Sequence, residues 1–456
     1  MKLSTIAYRF RPTALVTVVV ALALAGCTAS SSPSSSTAVI QPLQAAVGVK
    51  HETFVDPSRA TPASGSVPGH PGRVLQTTIY YPAKGTARAA AVVDAQPDTR
   101  AAPYPLIVFA HGFGSSLNEY QALLVRWAVA GYVVAVPLFP LTRSDAPGGP
   151  DLADFANQPA DLGFLITQVV QESSRSGGLL TGLVDPRHIG AAGHSLGGVT
   201  TLGLVANTCC RDARVAAAIV ISGDPISFPT GTVDLASAPP LLLVHGNADP
   251  VVPYVSSIDA FNSAHPPKGL LTVVGGGHDS PVVPTGRAFP SVVRTTIGFF
   301  NHYLKGENNG DADLATDVTK GATTLTFVSD PEQDVHLSAP PTPSRHRRAT
   351  VTPTQHLANG TTLHVTWSGF SPGVAINILQ CSTSPPTQAS DCDLHTAKLG
   401  QPDPRGSGSL RFTVHTGAVG SGICSAGLSK DCVVVVNEGG SLAATSSVIS
   451  PVSFGP

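Results

Sequence analysis

The sequence has few charged residues, and the two signs nearly balance. Lysine and arginine together number 27 and aspartate and glutamate 29, so charged residues make up only 12% of the chain. Basic side chains do not gather into a stripe on any stretch of the sequence, as they do in proteins that bind the phosphates of nucleic acids. We therefore expect no nucleic-acid partner.

Motifs that bind metals or nucleotides are also missing. None of the seven cysteines lies in a Cys-x-x-Cys pair or a Cys/His cluster with the spacing of a zinc site. The chain has neither the G-x-G-x-x-G fingerprint of a dinucleotide site nor the G-K-[ST] of a phosphate-binding loop. We therefore predict a protein without a metal ion or cofactor.

The first residues are typical of an exported lipoprotein. Three basic residues precede an apolar run of about a dozen residues, too short to span a bilayer but suited to a signal peptide. The run ends in LAGC, which resembles a bacterial lipobox with Cys27 as the lipidated residue. We predict a signal peptide at 1–26, a Ser/Pro-rich tether at 27–50 and anchoring at the outer face of the cell membrane. The alternative is an ordinary signal peptide followed by a chance cysteine.

In the rest of the chain, the pattern of predicted strands and helices changes once. Buried strands alternate with amphipathic helices through residues 51–335, which predicts a doubly wound, mostly parallel α/β sheet. A Pro/Arg-rich linker follows at 336–350. Residues 351–456 lose helical periodicity and show short Val/Thr-rich strands between turns, which predicts a small all-β immunoglobulin-like sandwich.

A candidate nucleophile lies in the first domain. Residues 193–197 read GHSLG and fit the G-x-S-x-G motif, with a predicted strand before it and a helix after it. The two glycines let the backbone close into a sharp turn, which exposes the hydroxyl of Ser195 above the sheet. We therefore predict a nucleophile elbow at Ser195.

The partners of a serine nucleophile should follow in the order acid, then histidine. Asp249 comes just after one apolar strand and His278 just after the next, so each lies at the carboxyl end of a strand. His278 would act as general base and Asp249 would orient it. Asp224 is the rival acid, because it also follows a strand.

An oxyanion hole would complete the site. The backbone N–H of Leu196, directly after the nucleophile, is one expected donor. The second should come from the glycine-rich loop HGFGSS after the first buried strand, and we choose the N–H of Phe113. The ring of Phe113 would then line the acyl pocket.

Together these segments resemble a known hydrolase group. GRVLQTTIYYPA, PYPLIVFAHGFGSS, VDPRHIGAAGHSLGG and LLLVHGNADPVVPY are similar to the α/β-hydrolases related to dienelactone hydrolase and platelet-activating-factor acetylhydrolase, and more distantly to polyester hydrolases and cutinases. The resemblance covers residues 72–303. The chain differs from dienelactone hydrolases in having serine at 195. It also lacks the tryptophan that polyester hydrolases carry after a strand, for which Phe228 is a partial substitute.

The last quarter of the chain resembles the neocarzinostatin-type fold. The matching features are a strand-SGFSPG-strand segment and two spaced cysteine pairs over about residues 350–453. The resemblance implies the bridges Cys381–Cys392 and Cys424–Cys432, which an exported protein would retain. For the adjacent Cys209 and Cys210, two separate thiols are favoured over a vicinal disulfide.

These features predict an exported, lipid-anchored serine hydrolase that cleaves a small ester, lipid or polyester through an acyl-enzyme. An acyltransferase or amidase would use the same residues. The alternative class is a cell-surface binding protein in which the sandwich contacts a small molecule, a polymer or the cell envelope and the hydrolase domain is inert. We expect the sandwich to be a spacer or adhesion module that short-ester hydrolysis does not need.

Overall fold

A computed structural model describes residues 43–455, except 65, 89, 227, 308–313, 315–317, 339–345, 372–373, 387–390, 427–431 and 439–446. The predicted signal peptide, Cys27 and most of the predicted tether lie outside the described residues. Among the residues that are described, no helix is both long and apolar enough to cross a membrane.

Ten strands form one large sheet in the order β10-β9-β8-β7-β6-β4-β5-β2-β1-β3. The strands from β4 to β9 pair in parallel, and β2 and β10 join antiparallel at either side of them. The ten strands are β1 Val47–Asp56, β2 Arg73–Pro82, β3 Val92–Val93, β4 Tyr104–Ala110, β5 Val133–Leu138, β6 Val184–His194, β7 Val215–Ile221, β8 Leu241–Gly246, β9 Lys268–Val273 and β10 Thr323–Val328.

Five α-helices cover both faces of this sheet. Alternate residues of β4 show this, because Leu106 and Val108 enter one apolar core while Ile107 and Phe109 enter another. Buried side chains of α2, α3 and α4 belong to the first core, and those of α1 and α5 to the second. The helices are α1 Gln121–Val129, α2 Gln158–Ser174, α3 Leu196–Ala206, α4 Tyr254–Ser263 and α5 Phe289–Lys305.

The C-terminal part is built from small antiparallel sheets. One sheet has the order β11-β12-β15, a second has the order β14-β13-β18-β19, and β16 pairs with β17. Side chains from the first two sheets, including Val365 and Phe412 on one side and Ile378 and Val436 on the other, share one core. The strands are β11 Arg348–Thr352, β12 Thr362–Ser368, β13 Ile376–Cys381, β14 Cys392–Gly400, β15 Gly408–Thr413, β16 Gly417–Val419, β17 Gly422–Cys424, β18 Val433–Glu438 and β19 Ser447–Pro451.

The predicted fold class is therefore confirmed: a mostly parallel α/β sheet with helices precedes a small all-β sandwich. Local details differ. Strand β1 begins at Val47, inside the segment 27–50 that the sequence analysis assigns to the tether. A 3-10 helix, Leu152–Asn157, directly precedes α2.

The cysteines of the sandwich pair as the resemblance implies, Cys381 with Cys392 and Cys424 with Cys432. Cys209 and Cys210, in contrast, are joined to each other, whereas the sequence analysis favours two separate thiols. Both follow the end of α3, where the chain has left the helix and runs through a turn. The expectation of separate thiols rests on the strain that a bridge between adjacent residues carries.

Candidate active site

Ser195 lies on a sharp turn between β6 and α3. Its backbone has φ 57° and ψ −122°, a region of backbone angles that residues other than glycine rarely adopt. The flanking glycines make the turn possible, because a Cβ on Gly193 would overlap the carbonyl of Gly197. A Cβ on Gly197 would in turn overlap the carbonyl of Ala110 at the end of β4. The structure thus shows the strand-turn-helix context that the motif requires.

The structure brings Ser195, His278 and Asp249 together. The hydroxyl of Ser195 lies 2.8 Å from Nε2 of His278, and Nδ1 of the same ring lies 2.7 Å from a carboxylate oxygen of Asp249. Because Asp249 can only accept, Nδ1 carries the proton and Nε2 accepts from the serine hydroxyl. This is the tautomer that a general base needs.

The carboxylate of Asp249 is held in place from both sides. Its second oxygen, Oδ1, accepts the backbone N–H groups of Val251 and Val252 at 2.7 and 2.9 Å. Burial alone would raise the pKa of Asp249, but hydrogen bonds from His245 and His278 outweigh burial and hold the pKa below its usual range. The group therefore stays charged and can stabilise a positive charge on His278.

Three histidines near the strand ends are packed side chains. His245 is fully buried, and its Nε2 lies 3.0 Å from Asp249. His111 and His194 are also buried, and burial lowers their pKa values to about 4 and about 3. His111 and His194 are therefore neutral, and all three side chains pack around the site.

The backbone of His278 has supports that the sequence does not reveal. Its carbonyl oxygen accepts the hydroxyl of Ser222 at 2.9 Å and lies 3.1 Å from Nε2 of His194. Ser222 follows β7, and its φ of 48° is another left-handed backbone angle at the sheet edge. A positive φ on a serine after a strand has no sequence signature, which explains why this contact is not predicted.

The loop after β4 lies directly beside the nucleophile. A Cβ on Gly112 would be 3.3 Å from the Cβ of Ser195. The N–H of Gly112 donates to the hydroxyl of Tyr120, and the N–H of Gly114 donates to the carbonyl of Thr142. Phe113 lies between these two glycines, in the loop beside the nucleophile.

Leu196 is the first residue of α3, where a backbone N–H has no acceptor within its helix. Within the described part of the chain, neither this N–H nor that of Phe113 donates to another protein group. Two unoccupied donors on either side of Ser195 are what an oxyanion site requires.

Asp224, the rival acid, occupies a different position. Burial raises the pKa of Asp224 to about 6, and its carboxyl group is hydrogen bonded to Ser256 of α4. The carboxylate in contact with His278 is that of Asp249. The geometry therefore favours Asp249 as the partner of the histidine.

An apolar cluster lies next to the nucleophile, and we call it the aromatic cluster. Phe155 and Phe228 form its centre, with ring centroids 5.1 Å apart. Its members are the buried Phe155, Leu196, Val199 and Phe228 and the partly buried Phe113, Leu152, Ala156, Ile226 and Leu394. Phe228, the expected substitute for the missing tryptophan, is thus beside the site. Leu394 comes from the C-terminal sandwich.

One group of described residues has the spacing of metal ligands. Ligand atoms of His194, His278 and Asp279 lie within 4.8 Å of one another. Both ring nitrogens of His278 are already engaged, with Ser195 and Asp249. The arrangement is therefore explained by the hydrogen bonds of the site.

Comparisons with known proteins match the two parts of the chain separately. Residues 349–453 match the neocarzinostatin family, and residues 72–139 match platelet-activating factor acetylhydrolase, isoform II. The chain combines an acetylhydrolase-like hydrolase domain with a C-terminal neocarzinostatin-like domain. The match at 72–139 includes β4 and the loop with Phe113.

Among solved structures, a ferulic acid esterase from Streptomyces cinnamoneus is similar to this chain. The identity is 23% and the TM-score 0.46, over 64% of this chain and 99% of that chain. No curated protein matches the chain. The assignment of the hydrolase domain therefore rests on the matched family and on the fold described above.

Proposed function

We propose that this protein is a serine hydrolase that cleaves carboxylic esters. The observation that carries the proposal is the continuous chain of contacts from Ser195 through His278 to Asp249. The same contacts would serve an acyltransferase or an amidase. The matched hydrolase family favours hydrolysis, and the apolar surface beside the nucleophile favours an ester with a hydrocarbon acyl group.

The reaction would proceed in two halves. His278 removes the proton of Ser195 as its hydroxyl attacks the ester carbonyl, and the resulting imidazolium is stabilised by Asp249. His278 then gives that proton to the departing alcohol, which leaves an acyl-enzyme on Ser195. A water molecule, activated by the same histidine, releases the acid and restores the serine.

Charge on the carbonyl oxygen would be stabilised by the N–H groups of Leu196 and Phe113. Each donor in such a site contributes about 3–4 kcal/mol to the transition state. The strained backbone of Ser195 holds the nucleophile between these donors and His278, so the site needs little rearrangement when substrate binds.

Hydrolysis of p-nitrophenyl butyrate by the full-length chain tests the proposal. We expect turnover with the unaltered protein and none above background with Ser195→Ala. Ser174→Ala, at an exposed serine of α2, is the matched control and should keep full activity. A fluorophosphonate probe should label the unaltered protein and the control but not Ser195→Ala. Equal rates in all three proteins would show that the hydrolase domain is inert and favour the binding-protein alternative.

We also propose that the protein is exported and anchored by a lipid on Cys27 at the outer face of the cell membrane. The support is the LAGC sequence after a short apolar run and the disulfides of the sandwich, which persist outside the cytoplasm. Metabolic labelling with a radioactive fatty acid should mark the protein and fail with Cys27→Ser. Equal labelling of both would contradict the anchor.

A further inference from the structure

We propose that the C-terminal sandwich forms one wall of the acyl-binding surface through Leu394, so that this domain sets which acyl groups the enzyme accepts. The inference rests on the proposed function and deepens it. It also replaces the expectation that the sandwich is only a spacer or adhesion module.

The first observation is the membership of the aromatic cluster. Leu394 packs against the aromatic cluster, which contains Leu196 and Phe228, although it lies in strand β14 of the sandwich. Leu196 and Phe113 are the two residues whose N–H groups flank Ser195. An acyl chain bound at Ser195 would extend along the apolar side chains of this cluster, and Leu394 is at its border.

The second observation is an ion pair beside Leu394. Nδ1 of His395, the next residue, lies 2.8 Å from a carboxylate oxygen of Asp151. Asp151 also caps the 3-10 helix Leu152–Asn157, where its side chain accepts the N–H of Ala153. The sandwich is thus attached to the same short helix that carries Phe155 into the cluster.

That short helix has a rigid base in the hydrolase domain. The fully buried guanidinium of Arg73 contacts Asp154 at 2.7 Å and also pairs with Asp161 of α2. Gln158, at the start of α2, donates to Thr142 at 2.7 Å. Removing either partner of a buried ion pair strongly destabilises the folded protein. The pairs of Arg73 therefore hold this helix in place on the hydrolase domain.

A separate contact between the two domains lies beside Asp249. The backbone N–H of Ala375, just before β13, donates to the carbonyl of Pro250 at 2.7 Å. Pro250 directly follows Asp249. The sandwich therefore contacts the hydrolase domain both at the loop that carries the acid and at the aromatic cluster.

Strand β14 is itself fixed at its beginning. Cys392, two residues before Leu394, is bonded to Cys381 of the neighbouring strand β13. Beyond this point the side chains of the strand become more exposed, and Leu399 has 57% of its surface exposed. The same strand thus offers one leucine at the cluster and one in solvent.

Leu394 forms a wall at the edge of the site and does not cover Ser195. Ser195 and Phe113 both remain partly exposed, which would not be so if the sandwich filled the site. A wall limits the size of the group that fits beside it, and one methylene in an apolar enzyme pocket changes selectivity by about tenfold or more. Changing Leu394 should therefore alter the ratio of rates between large and small acyl groups.

The test compares kcat/KM for p-nitrophenyl pivalate and p-nitrophenyl acetate in the full-length chain. Leu394→Ala makes room and should raise the pivalate-to-acetate ratio several-fold, Leu394→Val should raise it less, and Leu394→Trp should lower it about tenfold. Leu399→Ala, on the same strand, should leave the ratio unchanged. Because the ratio does not depend on the amount of folded enzyme, a partly unfolded variant still reports selectivity.

Three outcomes would overturn the proposal. A ratio within twofold of the unaltered protein in all Leu394 variants would show that the wall is formed elsewhere, while the esterase function stands. A rise in both rates by the same factor in Leu394→Ala would show that Leu394 covers the site. Absence of ester hydrolysis and of fluorophosphonate labelling in the unaltered protein would refute the proposed function, and the wall with it.

Discussion

The ring of His245 lies 3.0 Å from the carboxylate oxygen of Asp249 that also contacts His278. Nε2 of His245 has a second acceptor, the carbonyl of Val252 at 3.1 Å, so this nitrogen carries the proton. Nδ1 then accepts the hydroxyl of Ser257 at 2.7 Å. His245 is thus a positioning residue that acts on the reaction through Asp249.

Replacing His245 by phenylalanine removes one hydrogen bond to the charged form of Asp249. Asp249 then loses one of the contacts that hold its carboxylate against His278, and kcat/KM should fall by about tenfold at neutral pH. His245→Gln, which keeps a donor, should recover part of the loss. His265→Phe, at an exposed histidine, is the control. An unchanged kcat/KM in His245→Phe would refute the role in positioning.

The choice between the two candidate acids gives a second prediction. Asp249→Asn should retain the fold and lower kcat by about 10⁴-fold, because the histidine loses the partner that fixes its tautomer. Asp224→Asn should keep activity within about threefold, since its carboxyl group is bonded to Ser256 and not to His278. Steady-state kinetics on p-nitrophenyl butyrate measures both. The assignment is wrong if Asp224→Asn is the more damaging change.

The glycines of the elbow give a third prediction. Gly197→Ala puts a Cβ into the backbone of Ala110, so either β4 or the start of α3 must move. We expect a loss of about 1–3 kcal/mol in the free energy of unfolding and little or no ester hydrolysis. Gly178→Ala meets no atom closer than 3.7 Å and is the control. Urea denaturation and butyrate hydrolysis measure the two effects, and normal values for Gly197→Ala would contradict the elbow.

The contact between the two domains should depend on pH. The hydrogen bond to Asp151 raises the pKa of His395, and Asp393 and Asp154 add to the effect. A raised histidine pKa contributes stability that is fully present below its unfolded value and is lost as pH rises through the folded value. The stabilising effect of His395 should therefore be larger at pH 5.5 than at pH 8.5.

Thermal unfolding of the unaltered protein and of His395→Gln at both pH values measures this difference. His364→Gln, at an exposed histidine of β12, controls for a general effect of histidine loss. A difference between unaltered protein and His395→Gln that is the same at pH 5.5 and pH 8.5 would show that the pair does not titrate in this range.

The sequence indicates the positions of Ser195, Asp249 and His278 because each follows an apolar run that can be recognised as a strand. Parallel strands end at one edge of the sheet, so the three residues are expected there together. The contacts around them are harder to predict. Ser222 and His194 support the carbonyl of His278, and such contacts depend on how loops from different strands fold over one another.

The placement of the sandwich lies beyond sequence reasoning altogether. The alternation in β14 predicts a strand but cannot tell whether Leu394 or Leu399 meets another domain. Only the packing of the two domains brings Leu394 to the aromatic cluster. A domain that looks like an independent module by its composition can thus still belong to the site of its neighbour.

The position of Leu394 at the aromatic cluster also bears on how the protein is made. Strand β14 is synthesised roughly 200 residues after the nucleophile elbow. A nascent or prematurely terminated chain can therefore contain Ser195, Asp249 and His278 while one side of the aromatic cluster is still missing. The wall beside the nucleophile is completed only when the sandwich has been synthesised and has folded against the hydrolase domain.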